Sequence, residues 1–237
     1  FKGGTCLAKV HAEFYRLSED LDFAIPTPVN ATRAERRALS AGLKETVGRI
    51  NHDLSTFRVI EPLTGANNST QYVALIGYTS LLSGQAETVK IEVGLREPLL
   101  TPVFNGTART LLLDPISGRP MAPTVPLPCI SQKEAMAEKL RAALSRREVA
   151  IRDFYDIDYA IRRLDLHPLE PALIELVRQK LAVLGNDPVD MSEARLAALR
   201  QQLDSQLKTV LREKDFAEFD LESAFRLVSD VAASVGI

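Results

Sequence analysis

The chain has 237 residues, 46% of them hydrophobic and 25% charged, with 29 Lys and Arg against 31 Asp and Glu. That is the composition of an ordinary globular protein with room for one or two domains. A net charge of −2 excludes a global basic field, so any nucleic-acid binding needs a local basic patch.

No apolar run approaches the ~20 residues of a membrane span. No charged-then-apolar leader opens the sequence, so a cytoplasmic protein without membrane contact is expected. Cys6 and Cys129 belong to no C-x-x-C pair. A zinc site is not expected, and two reduced thiols are.

Phe1 and Lys2 read as the end of a strand entering the Gly3-Gly4 turn, which leads us to expect a lead-in ahead of Phe1. From Thr5 the apolar positions Leu7, Val10, His11 and Phe14 recur with helical spacing. Leu17 to Ile25 then alternates, with Leu21, Phe23 and Ile25 on one face, and predicts a half-buried strand ended by Pro26 and Pro28. Thr32 and Glu35 form a capping box, which predicts a helix to about Ile50. Val59-Ile60, Tyr72 to Tyr78 and Val89 to Leu95 read as strands, with turns at Asn67-Asn68-Ser69 and Ser83-Gly84-Gln85. Residues 98–128 are rich in Pro and Gly and predict loop with short strands.

The composition then changes. Ser131 and Glu134 form a second capping box. Helical patterns follow at about 131–146, 149–164, 168–184, 192–213 and 220–235, with Gly185 as a candidate C-cap. The expected fold class is therefore α+β. Residues 1–128 would form a mixed sheet with flanking helices, and residues 129–237 an all-helical half.

The first half holds the candidate chemistry. A Gly3-Gly4-Thr5 turn opening a helix suits phosphates, because glycine lets backbone approach closely and helix-start N–H groups face an anion. Many glycine pairs are merely tight turns. Asp20 and Asp22 lie two apart on a predicted strand, so both carboxylates leave one face. They would repel each other unless a cation lay between them. Oxygen ligands of this kind suit Mg²⁺, or Mn²⁺. The plainer alternative is a solvated strand face. Ser18 falls on the same face, where its hydroxyl could touch a phosphate. Glu92 is the candidate third carboxylate, with Lys90 beside it and Ile91 and Val93 opposite.

The runs Phe1-Lys2-Gly3-Gly4-Thr5-Cys6-Leu7 and Arg16-Leu17-Ser18-Glu19-Asp20-Leu21-Asp22-Phe23 closely resemble the AbiEii/AbiGii nucleotidyltransferase toxin family. That family looks like a branch of the polymerase-β-type nucleotidyltransferase fold, with its G-[GS] turn followed by D-x-[DE]. Glu138-Lys139-Leu140-Arg141-Ala142-Ala143-Leu144 resembles the family's E-K-L-R-A-L helix, and Arg152-Asp153-Phe154-Tyr155-Asp156-Ile157 its R-D-x-Y-D-L motif. The motifs fall in the expected order over residues 1–157. The resemblance implies that Gly3, Gly4, Thr5, Ser18 and Lys139 hold a nucleoside triphosphate. It implies that Asp20, Asp22, Lys139 and Asp153 serve catalysis and that Asp20 and Asp22 bind the metal, Mg²⁺ or Mn²⁺; Glu92 joins them as candidate third ligand from its strand position alone.

The reaction so implied moves a nucleoside monophosphate from an NTP to an acceptor. By analogy the acceptor would be tRNA or another RNA, and a cognate antitoxin the protein partner. Cys6 stands where a small residue is commoner in the family. Lys139, read by itself, is equally a solvated helix lysine. Asp153 and Asp156 share a helix face, so Arg152 could pair with one of them or reach substrate. Phe154 and Tyr155 read as core. Arg141, Arg146, Arg147, Arg152, Arg162 and Arg163 could hold RNA, or could be helix faces laced with acids. His11, His52 and His167 have no metal-ligand spacing. Two other readings stand beside this one: a glycosyltransferase whose D-x-D holds a nucleotide sugar, and a non-catalytic nucleotidyltransferase scaffold that binds a partner.

Overall fold

The computed structural model describes residues 1–12, 15–81, 83–110 and 112–236. Phe14 of the first helical stripe lies outside the described residues. The chain is α+β, as expected. It divides into two compact units: Phe1–Val10, Ser18–Leu99 and Val103–Cys129 form the first, and His11–Leu17, Leu100–Pro102 and Ile130–Ile237 the second.

The first unit is built on a four-stranded sheet of order β1-β4-β3-β2. Its strands are β1 (Leu21–Ala24), β2 (Phe57–Ala66), β3 (Gln71–Thr79) and β4 (Ala86–Gly94). β1 runs parallel to β4, and β2, β3 and β4 form an antiparallel meander. The alternation expected of β1 holds. Leu21, Phe23 and Ile25 pack with Ile91, Val93, Tyr72 and Ala74 in one apolar cluster, covered by Leu43 and Val47. The strand is shorter than expected, because residues 17–20 precede the ladder.

The single helix expected over residues 32–50 is three: α2 (Arg33–Leu39), α3 (Ala41–Gly48) and α4 (Ile50–Asp53). The Thr32–Glu35 capping box forms in both directions. The break at Ser40 follows Arg36, which is buried and donates to the Leu95 carbonyl at 3.2 Å. That bond draws α2 against the end of β4 and lets α3 take its own line over the sheet. β2 bulges around Pro62, which can donate nothing to a ladder and sits at the sheet edge. The Asn67-Asn68-Ser69 turn has positive φ at all three residues. Strands β5 (Phe104–Ala108) and β6 (Val125–Cys129) pair in a separate two-stranded sheet. Cys6 and Cys129 are both buried thiols.

The second unit is helical, with α5 (Gln132–Ser145), α6 (Ile151–Arg163), α7 (Pro171–Ala182), α8 (Glu193–Gln202), α9 (Glu213–Ala217) and α10 (Leu221–Val235). Four of the five expected helices appear within a few residues of their expected ends. The fourth, expected over 192–213, breaks into α8, a π turn, a 3₁₀ turn and α9. The second capping box closes by half. Ser131 accepts from the Glu134 amide, but the Glu134 carboxylate instead accepts from Leu100 and Thr101 and pairs with Lys180 at 2.7 Å. Gly185 has φ +88° yet does not cap α7. Asn186 does that, donating its side-chain amide to the carbonyls of Lys180, Leu181 and Val183. Phe154 and Tyr155 are fully buried, as expected of core. No described helix is long and apolar enough to cross a membrane.

Candidate active site

The polar face of the first unit's sheet gathers the acids. Asp22 on β1 and Glu92 on β4 are register partners across a parallel pair, so both side chains leave the face opposite the apolar cluster. Asp20 lies just before the strand, exposed. The Lys90 ammonium stands 3.4 Å from the Asp20 carboxylate and 3.3 Å from that of Glu92. Burial, then the Glu92 charge, raises the Asp22 carboxyl above its ordinary value, while Lys2 and Lys90 only partly offset this. Burial opposes the charge of Lys90, but Asp20 and Glu92 overcome it and raise the ammonium's affinity for its proton.

A short helix, α1 (Gly3–Cys6), faces this surface and continues as a π turn over Leu7–His11. Lys2 bridges to Asp22 through its amide, 2.9 Å from the Asp22 carbonyl. Gly3 then turns the chain at φ +74°. Its identity is dictated twice. An L side chain is strained at that φ, and a Cβ there would fall 2.0 Å from Asp22 Oδ2. The glycine turn thus lies directly against the second aspartate of the D-x-D. The Thr5 hydroxyl donates to Ser18 Oγ at 2.9 Å and to the Asp20 carbonyl, fastening residues 18–20 to the helix. Thr5 is fully buried, so its hydroxyl serves this joint. Gly3, Gly4, Thr5, Ser18, Asp20, Asp22 and Glu92 all belong to this one unit.

Lys139 and Asp153 belong to the helical unit, within a buried charge cluster. Lys139 Nζ lies 2.7 Å from Asp153 and 2.9 Å from Asp156, with 15% of its side chain exposed. Arg16 grips Asp156 through Nε and Nη2, and Tyr15 donates to the same carboxylate at 2.7 Å. Burial opposes the Asp156 charge, but Arg16 and Lys139 outweigh it and hold the carboxyl below the usual range. Burial likewise opposes Lys139, and Asp153 and Asp156 together raise it. Asp153 also meets Arg146 at 3.3 Å. Arg152 makes no ion pair among the described residues.

Sequence reasoning gave Tyr15 and Arg16 no role in this cluster. The available signal was an arginine directly beside an aromatic residue at the edge of a motif, where a charge must find a buried partner. His11 is half-buried and bonds the Ile130 carbonyl, and His52 and His167 are exposed. Among the described residues no group of three His, Cys, Asp or Glu side chains is gathered closely enough to hold a metal ion alone.

The model of the family described as "Nucleotidyl transferase AbiEii toxin, Type IV TA system" matches residues 1–228. The chain therefore belongs to the AbiEii family of nucleotidyltransferase toxins of type IV toxin–antitoxin systems. Among solved structures, the chain is similar to JHP933 from Helicobacter pylori, at 16% identity and a TM-score of 0.52, covering 99% of this chain and 82% of that one. A second H. pylori chain, described as a candidate nucleotidyltransferase, aligns at 18% identity and a TM-score of 0.47, covering 99% and 84%. The first likeness shows a shared fold. A search of curated proteins returned no match.

Proposed function

We propose that this chain transfers a nucleoside monophosphate from an NTP to an RNA, with tRNA the acceptor class suggested by the family resemblance. It would act in the cytoplasm as the toxin partner of a cognate antitoxin. The observation that carries this reading is the contact between Gly3 and Asp22, where a Cβ would stand 2.0 Å from the carboxylate. A phosphate-sized anion on the glycine turn and a cation on the aspartate would then be immediate neighbours.

The residues fit Mg²⁺ or Mn²⁺. Asp20, Asp22 and Glu92 are not gathered as a three-carboxylate site, but Asp22 with one neighbouring acid offers hard oxygen donors, and such ions commonly take one or two carboxylates and leave the remaining positions to water and substrate phosphates. Burial first, then the Glu92 charge, raises the Asp22 carboxyl, and a bound cation would offset both. A bound ion would neutralise phosphate charge and orient the α-phosphate. The Gly3-Gly4 backbone would receive the β- and γ-phosphates. Lys90, between Asp20 and Glu92, would have to yield to the substrate or contact a phosphate itself. The acceptor hydroxyl oxygen bonds to the α-phosphorus and its proton passes to water. The bond from that phosphorus to the β-phosphate oxygen breaks, and pyrophosphate leaves. Positioning and charge neutralisation supply most of the rate. Lys139 and Asp153 enter this reading through the resemblance, which makes Lys139 a phosphate contact.

The test is transfer of label from each of four α-labelled NTPs to total RNA, with Mg²⁺ or Mn²⁺. Wild type should label RNA, and Asp22→Asn should label it about a thousandfold or more slowly, the scale expected when a central charge-stabilising group is lost. Absence of transfer by folded wild type with every nucleotide and both ions would overturn the reading. Preferential binding of a nucleotide sugar would replace it with the glycosyltransferase alternative. Growth arrest unchanged by Asp22→Asn would favour the non-catalytic scaffold.

A further inference from the structure

The helical unit contains a cavity of about 630 Å³ between the 146–150 loop, the first turn of α6 and one face of α8. Four arginines line it, Arg146, Arg147, Arg152 and Arg195, against two acids, Glu148 and Asp190. The arginines differ in a way that points to a ligand. Arg146 and Arg147 are largely exposed and touch Asp153 and Asp187 at 3.3 and 3.6 Å. Arg152 is exposed and makes no ion pair among the described residues.

Arg195 is the unusual member. Its side chain is only 6% exposed. Nη2 donates to the carbonyls of Ala143 and Arg146 at 2.9 and 3.0 Å. Among the described residues its ion-pair partner is Asp190, 3.9 Å away, and Nε, itself sealed from solvent, has no hydrogen-bond partner. A buried cation with an unfilled donor and a distant, half-exposed counter-ion is costly to maintain. Burial pulls its guanidinium below the usual arginine range, and Asp190 and Asp153 do not restore it.

A second feature adds to this. α6 begins beside the cavity at Ile151, and Ala150 supplies no side-chain cap. The start of this thirteen-residue helix lies beside the arginines, with Asp153 in its first turn. Gln202 holds this helix start in place, accepting from the Ile151 amide at 2.8 Å and donating to the Val149 carbonyl at 2.9 Å. The depression is open to solvent and larger than one phosphate requires.

We infer that this cleft binds the phosphodiester backbone of the polynucleotide acceptor, with Arg147 and Arg152 meeting phosphates at the rim and Arg195 completing the floor. The inference rests on the proposal that the acceptor is RNA. Its test is independent of catalysis. Binding of a fluorescein-labelled single-stranded RNA is measured by anisotropy, without NTP or divalent ion, across a salt series. The proteins are wild type and the double variant Arg147→Gln/Arg152→Gln.

The double variant should bind about tenfold more weakly, and its log–log salt slope should fall by about 1.4, the loss of two single-strand phosphate contacts. The assay holds neither NTP nor divalent ion, so a failure of nucleotidyl transfer would leave this result standing. An unchanged affinity and slope in the double variant would overturn the inference. So would arginine-dependent binding of inorganic pyrophosphate without arginine-dependent binding of RNA, which would make the cleft a site for free phosphates.

Discussion

Two aspartates of this chain, Asp22 and Asp156, stand in opposite electrostatic settings. Asp22 is half-buried beside another carboxylate, with two lysines that fail to neutralise it, and its carboxyl is raised. Asp156 is fully buried between Arg16 and Lys139, with Tyr15 donating to it, and its carboxyl is lowered. Both lie within the stretch matched by the family, residues 1–228. Only the first is left in charge deficit by its own protein. The charges around Asp156 are balanced within the protein, whereas those around Asp22 leave room for a cation.

The sharpest way to break this contrast is Asp156→Asn. Removing that charge strands Arg16 and Lys139 in the interior, and breaking one partner of a buried pair costs about 3–5 kcal/mol. For a chain of this length that corresponds to a fall in Tm of about 10 °C. A Tm within a degree or two of wild type would show the cluster to be better solvated than its burial implies. The wild type carries the same information in its acid limb. A lowered folded-state carboxyl contributes stability that is fully present above the ordinary aspartate range and lost as pH falls through its folded value. Thermal unfolding should therefore weaken below about pH 4, the unfolded aspartate value, and Asp156→Asn should lose part of that dependence.

Much of the fold could be read from the residues, for a physical reason. The β1 and β4 alternation, the Thr32–Glu35 cap and the long helices α5, α6, α7 and α10 are local patterns, and local patterns are visible along a chain. Asp22 and Glu92 were legible as one face because strand period is two, whereas Asp20 precedes the strand and that period does not place it. What escaped were contacts made across the sequence. Arg36 breaks a helix by reaching Leu95, 59 residues on. Glu134 leaves its capping box for Leu100, Thr101 and Lys180. Lys139 is drawn into a cluster completed by Arg16, whose partner lies 140 residues away. Spacing reports on faces, but not on which buried charge another segment will answer.

Gly3 offers the next largest effect, and Gly84 is its control. Both have positive φ, +74° and +69°. A Cβ on Gly84 meets nothing within 4 Å, whereas one on Gly3 collides with the Asp22 side chain. Gly84→Ala should cost about 1 kcal/mol from backbone strain alone. Gly3→Ala should cost about 2–3 kcal/mol and should also abolish transfer, because Asp22 must move aside. Denaturant midpoints measure the first difference and the labelled-RNA assay the second. Equal behaviour of the two variants would detach the glycine turn from the acidic face.

The smallest effect has the opposite sign and tests the contrast most directly. A carboxyl raised in the folded state contributes most stability below its unfolded value, and this is lost as pH rises through the folded value. At neutral pH the ionised Asp22 therefore works against folding when no cation is bound. Asp22→Asn keeps the shape and removes the repulsion from Glu92, so it should raise Tm at pH 7 by about 2–4 °C, equivalent to about 1 kcal/mol. The gain should shrink as pH falls toward the unfolded aspartate value and the wild-type Asp22 carboxyl takes up its proton. Adding Mg²⁺ at ten times its Kd should stabilise wild type by about 1.4 kcal/mol and leave the variant almost unmoved. A variant less stable than wild type without metal would mean that Lys2 and Lys90 already balance the aspartate, and the contrast with Asp156 would fail.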